Sequence, residues 1–188
     1  MSSQATSAFV NAGAVGPIGG RADDVAADLT QFLSFAIGED QYGVEIMAVR
    51  EIKGWSQVTH LPKQPEYVRG VVNLRGIMVP IVDLRCRFGG GLTEATPMHV
   101  VIIVQIGAQV VGLLADRVSD IVSFEASQIQ PVPRVSRDSR CEFLSGLVTV
   151  NGAMIALVGL PVLLSLSADD AEGFSADEQA VDASTRRN

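Results

Sequence analysis

The residues able to do chemistry in this 188-residue chain are few and scattered. His60 stands in a loop before Leu61-Pro62, and His99 opens an apolar strand with no carboxylate near it in sequence, so both read as strand-end or surface histidines rather than general bases. Cys86 and Cys141 lack C-x-x-C spacing, and two histidines with two cysteines do not make a Cys/His-rich zinc site. Asp116 and Asp120 lie four apart, and Glu51 matches Asp120 in the repeat described below. They do not assemble the four acceptor carboxylates a hard cation would want, and they read as solvated or capping groups. Gly89-Gly90-Gly91 could cradle an anion, but no helix pattern follows it, and its flanks make it a flexible linker. The sequence has no nucleophile elbow, P-loop, zincin or dinucleotide motif. Catalysis, cofactor and metal are therefore not expected.

Charge excludes a further class. Fourteen Lys+Arg face 21 Asp+Glu, and no basic run offers a phosphate-neutralising surface, so nucleic acid is not an expected partner. Residues 1–30 and 168–188 carry −2 and −4 of the net −7, and their compositions read as disordered tails around a unit of residues 31–167. The N-terminal stretch has no basic n-region and no gathered apolar core, so a signal peptide is not expected, and a reducing cytoplasm suits the two unpaired cysteines.

The elements that must position any site come from an internal duplication. At an offset of 76, GVVNLRGIMVPIVDL (70–84) falls on GLVTVNGAMIALVGL (146–160) with six identities in fifteen positions. At an offset of 69, Ile37, Gly38, Gly43, Val49, Ile52 and Pro62 meet Ile106, Gly107, Gly112, Val118, Ile121 and Pro131. The seven-residue difference places a longer loop around PRVSRDSRCEF. Two copies of one β unit, four or five strands each, are expected to curl into two small barrels with part of the core shared. The boundaries are about 31–91 for the first half and about 98–167 for the second, with the barrels intertwined.

Two apolar stretches, 98–115 and 147–166, are long enough to raise a membrane span. Each is broken by a turn, Gly107-Ala108-Gln109 or Asn151-Gly152, and the first copy of the second stretch carries Asn73, Arg75 and Asp83. Both therefore read as hairpins, and no direct membrane insertion is expected. A last short helix is expected from Leu160, with Pro161 at its first position. Arg75 takes the place of turn-favouring Asn151 at the equivalent tip. Turn chemistry leaves two readings open, a tolerated polar tip or an interaction residue. Val49, Arg50 and Glu51, on a short apolar-periodic segment (Ile46, Val49, Ile52), likewise leave two readings open, an ordinary half-buried segment or an interaction site.

The run VTHLPKQPEYVRGVVNLRGIMVPIVDLRCRF (58–88), preceded by YGVEIMAVREI and followed by VVGLLADRVSDIVSF, resembles the CheW family of bacterial chemotaxis coupling proteins across residues 31–167. The resemblance implies an all-β fold of two five-stranded SH3-like barrels with short helical turns. It implies a non-catalytic cytoplasmic adaptor, recruited to receptor arrays, that links methyl-accepting chemoreceptor tips to the regulatory domain of a CheA-type kinase. By motif position it places Val49 and Glu51 on the kinase-facing surface. Gly70, Arg75, Val100, Gly112, Val118 and Ile121 fall at receptor-binding positions. The alternative is a related adaptor of a parallel system for pili or development, with another receptor set.

Overall fold

A computed structural model describes residues 29–133 and 139–164. Residues 1–28, 134–138 in the middle of the longer loop, and 165–188 lie outside the described residues, and with them most of the expected N-terminal tail (1–30) and all of the expected C-terminal one (168–188); Leu29 and Thr30, expected in the N-terminal tail, instead open the first strand, where they pair with Glu125 and Phe124. The first half of the chain forms β1 (Leu29–Ile37), β2 (Asp40–Glu45), β3 (Val49–Gly54), β4 (Val68–Leu74), β5 (Ile77–Asp83) and a one-turn helix α1 (Leu84–Arg87). The second forms β6 (Val100–Ile106), β7 (Gln109–Ala115), β8 (Arg117–Glu125), β9 (Leu144–Val150) and β10 (Ala153–Val158), then a helical turn over residues 160–164. Both long apolar stretches are hairpins, β6–β7 and β9–β10, and no helix among the described residues is long and apolar enough to cross a membrane. The final turn starts at Leu160 as expected, with Pro161 second rather than first. Gly159 caps it, accepting at its carbonyl from the Leu163 amide. Pro161 still costs nothing there, because amides of the first turn have no intrahelical acceptor.

The two halves exchange strands. One five-stranded sheet runs β8-β1-β2-β10-β9 and the other β3-β6-β7-β5-β4. The first two strands of each half are therefore completed by the last three of the other half. The exchange uses one parallel pair per sheet, β2 with β10 and β7 with β5, and all other pairs are antiparallel. Each sheet closes through a single bridge just beyond its third-strand element: Gln130 with Leu147 after β8, and Thr59 with Val71 after β3. Closure removes the exposed edges that a five-stranded sheet would otherwise offer.

Strand periodicity explains why these strands read as unbroken apolar runs. Val101 and Ile103 of β6 point into the second barrel beside Val79, Ile81 and Leu114, while Ile102 and Val104 point the other way into a larger core between the barrels. In the first barrel Phe32, Phe124, Val148, Ile155 and Leu157 fill the interior, whereas Leu33, Phe35 and Ile37 of β1 face the shared core. Both faces of the central strands are buried, so alternation vanishes without any membrane. Both helical turns add to the shared core, the repeat-related Leu84 and Leu160 among them. A chain of rings, Phe35 to Tyr42 to Phe88 to Phe143, runs through it at 5.8, 5.1 and 5.9 Å between centroids and joins the two halves.

The glycine linker differs from its expected flexibility. The amides of Gly89 and Gly90 donate to the carbonyls of Cys86 and Arg85, closing α1, and Gly89 and Gly91 adopt positive φ. Thr93, just beyond, is fastened by its amide and hydroxyl to the buried Asp83 carboxylate at 2.8 Å each. Relative placement of the barrels rests on strand exchange and the shared core, not on this link.

Candidate interaction surface

The β4–β5 hairpin turns at Arg75-Gly76, with Leu74 paired to Ile77. Both turn residues have positive φ, 53° and 90°, and Asn151-Gly152 repeats the geometry at 52° and 81°. This is the primed two-residue turn that matches strand twist, and asparagine suits its first position because it tolerates the left-handed region. Arg75 does not, yet it occupies the place. Asn73 helps hold the turn by accepting the Gly76 amide at its Oδ1, 2.8 Å away.

From the tip the Arg75 guanidinium reaches Glu51 Oε2 of β3 at 3.0 Å. The arginine is 84% exposed and Glu51 26%, so the pair lies in the surface class, worth about 0–1 kcal/mol. Exposed apolar residues adjoin both partners in the chain: Ile52 after Glu51, and Ile77 and Met78 after the turn. An exposed ion pair contributes too little to explain a strained arginine. Arg75→Asn is expected to stabilise the fold by about 1 kcal/mol, read as a raised urea midpoint at unchanged slope. A lowered midpoint would mean that the ion pair outweighs the backbone strain.

The other sequence-derived positions fall into separate places. Val49, Val100 and Val118 are half-buried and pack against the shared core, so the structure gathers them along the seam between the barrels. Ile121 is exposed on β8, in the first barrel. Gly70 and Gly112 are set in the wall of the second barrel. A Cβ on Gly112 would overlap Ile81 Cδ1 and meet Val101 Cγ1 at 2.7 Å, so that glycine leaves room for barrel packing. Glu51 and Arg75 are the two that touch by polar contact.

Two acidic residues matter in ways their local sequence does not state. Asp116 is not simply solvated: its Oδ2 accepts from the Gly38 amide at 2.7 Å and from Arg85 at 2.6 Å, and its Oδ1 lies 3.6 Å from His99 Nε2. His99 thus has a carboxylate neighbour after all, brought 17 positions back by the β6–β7 hairpin. Its Nδ1 faces the Thr96 amide at 3.0 Å, an arrangement that leaves Nε2 to carry the proton toward Asp116. Burial pulls the Asp116 carboxyl upward, but the Gly38 amide and Arg85 outweigh it and hold the group below the usual range. Asp83 is fully buried at the N-cap of α1 and accepts from Cys86, Thr93 and Arg69. A signal for it exists in the repeat: a charge at a strand end where the other copy has Gly159 must be paired if buried. Burial, with Asp83 and Glu66 nearby, pushes the Cys86 thiol up, which makes it a poor nucleophile.

Residues 31–168 match the family described as the CheW-like domain. The chain belongs to the CheW family. It is 45% identical over 130 residues to the chemotaxis protein CheW of Rhizobium meliloti (strain 1021), covering 69% of this chain and 84% of that protein. It is 41% identical over 135 residues to the chemotaxis protein CheW of Klebsiella aerogenes, covering 72% and 81%. The crystal structure of the scaffolding protein TtCheW from Thermoanaerobacter tengcongensis aligns with a TM-score of 0.64 at 31% identity, covering 69% of this chain and 88% of that one. A CheW-type chemotaxis scaffold, built from two five-stranded sheets with few and short helices, is thus the class of protein to which the surface belongs.

Proposed function

We propose that the chain is a non-catalytic cytoplasmic adaptor that couples the cytoplasmic tips of methyl-accepting chemoreceptors to a CheA-type histidine kinase in receptor arrays. Membership of the CheW family supports the class of function, and one structural observation carries the site: Arg75, held at φ 53° on an exposed tip and reaching Glu51. Backbone strain kept for a charge that adds little stability points to a use outside the fold. In this reading Val49 and Glu51 face the kinase, while Gly70, Arg75, Val100, Gly112, Val118 and Ile121 serve the receptor side, the two glycines through the shape of the barrel wall. The Arg75–Glu51 pair then joins the two groups, so a partner that engages one residue alters the availability of the other. Coupling of this kind requires that contacts differ between two states, and typical coupling free energies correspond to roughly 5–150-fold effects.

The test is kinase autophosphorylation on receptor-containing membranes with and without the full chain, repeated with Arg75→Ala. The chain is expected to raise activity in an attractant-sensitive manner. The variant, with an unchanged circular dichroism spectrum, is expected to lose about tenfold of that activation. Full coupling by Arg75→Ala would remove Arg75 from the surface. No activation by a folded, monodisperse parent would overturn the adaptor reading.

A further inference from the structure

Three non-glycine residues among those described have positive φ: Lys63 at 60°, Arg75 at 53° and Asn151 at 52°. Asparagine tolerates that region, whereas lysine and arginine gain nothing from it. The two cations are the anomalies, and they share more than their backbone. Both are exposed, both belong to the first half of the chain, and the second half has Val132 and Asn151 at the related positions. Both also flank the closure of the second barrel. The antiparallel bridge of Thr59 with Val71 leads four residues one way to Lys63 and four residues the opposite way to Arg75, each up to about 14 Å from the bridge.

Lys63 is the second corner of a turn opened by Pro62, a place where positive φ favours glycine or asparagine. Nothing within the fold offsets the strain. Arg75 has Glu51, but the Lys63 ammonium has no ion pair among the described residues, and Glu66, three positions on, does not reach it. The loop that carries it is nevertheless fixed. Pro62 and Pro65 restrict its backbone, the Pro65 carbonyl accepts the Val68 amide at 2.9 Å, and His60 Nδ1 donates to the Arg69 carbonyl at 3.1 Å. A free ammonium on a rigid, exposed and strained corner suits a carboxylate brought by another molecule. Gly70 indicates which molecule: a Cβ there would stand 3.2 Å from His60 Cα, so the loop rests against a residue assigned above to the receptor side. We propose that Lys63 is a further receptor contact, binding a carboxylate on the receptor's cytoplasmic tip at the other end of the seam from Arg75. This contact rests on the adaptor role proposed above and adds a residue to its receptor side.

The experiment is co-sedimentation of the full chain with receptor-containing membranes over a range of salt concentrations, beside membranes without receptor and the isolated kinase regulatory domain. The parent is compared with Lys63→Asn and Lys63→Arg. Asparagine removes the charge and the backbone strain together. Lys63→Asn is therefore expected to have a higher urea midpoint than the parent and yet to bind receptor membranes about fivefold more weakly at low salt, with a shallower salt dependence. Lys63→Arg keeps both charge and strain and is expected to bind as the parent does. Equal affinity and salt dependence in parent and Lys63→Asn would overturn the proposal and leave the adaptor role standing. A lowered midpoint would also overturn it, because the lysine would then serve the fold. An equal loss on membranes without receptor, or a loss seen only with the kinase domain, would assign the ammonium to lipid phosphate or to the kinase and overturn the receptor contact. No sedimentation of a folded parent would overturn the adaptor role itself, and this contact with it.

Discussion

Asp83→Ala is expected to cost about 3–5 kcal/mol, the range for removing one partner of a buried, hydrogen-bonded charge pair. The carboxylate is fully buried and holds four donors: the Cys86 amide at 3.2 Å, the Thr93 amide and hydroxyl at 2.8 Å each, and Arg69 at 3.2 Å. Its loss would uncap α1, orphan the Thr93 amide and leave Arg69, which also donates to the Thr93 carbonyl at 2.7 Å, without its counter-charge. Since single domains are stable by about 5–15 kcal/mol, this is a large share of the total. Urea unfolding of parent and variant measures it. A midpoint shift equivalent to less than about 1 kcal/mol would show that the network does not hold the fold. Asp83→Asn should fall between the two, because the amide keeps one oxygen for the cap but turns a donor toward donors.

The network is local to the first half. At the repeat-related position Gly159 caps its own helical turn and donates to Phe143, a backbone solution that needs no charge. The carboxylate at 83 answers a demand that exists only there: the chain must leave α1, pass the three glycines and enter β6. This explains why the duplication was legible while the asymmetry was not. Offsets of 69 and 76 map β1–β3 on β6–β8 and β4–β5 on β9–β10, because apolar alternation and turn glycines are local features that a repeat copies. Which strands pair is not local. An exchanged and an unexchanged pair of barrels bury the same residues in each strand, so the sharing of a core could be read from the pattern but the crossing of β2 to β10 and β7 to β5 could not.

The site divides the same way. The oddity of Arg75 at a turn tip is visible in sequence, since the other copy supplies Asn151 for comparison. Its ion pair with Glu51, 24 positions away, arises only when the hairpin and β3 are brought together by barrel closure. The contact between His99 and Asp116 is hidden for a related reason: no short motif links the two positions, and the β6–β7 hairpin sets them side by side.

Gly70→Ala is the second change expected to have a large effect, about 3–4 kcal/mol, combining overpacking against rigid backbone with an L-residue at positive φ. Gly70 has φ 135°, and a Cβ there would overlap the Thr59 carbonyl oxygen and stand 2.9 Å from its carbon. That oxygen accepts the Val71 amide at 2.8 Å in the bridge that closes the second barrel, so the methyl group pushes apart the two segments whose pairing removes the sheet edge. Gly146, its repeat mate, lies beside the equivalent bridge, Gln130 with Leu147, and supplies the control. There the added Cβ meets chiefly Ile129 Cγ2, a side-chain methyl rather than backbone, which gives way only by a shift of a β-branched side chain, with the Gln130 carbonyl oxygen no closer than 3.2 Å and no positive φ to strain. Gly146→Ala should therefore cost about 1–3 kcal/mol, less than its mate. Thermal unfolding of both variants checks the order, and coupling assays on the same samples separate shape from contact. If Gly70 serves the receptor side through the barrel wall, activation by Gly70→Ala should fall in proportion to the folded fraction. A fully folded variant that no longer couples would instead place the receptor against Gly70 itself, because only a direct contact would lose activity while closure of the barrel survived.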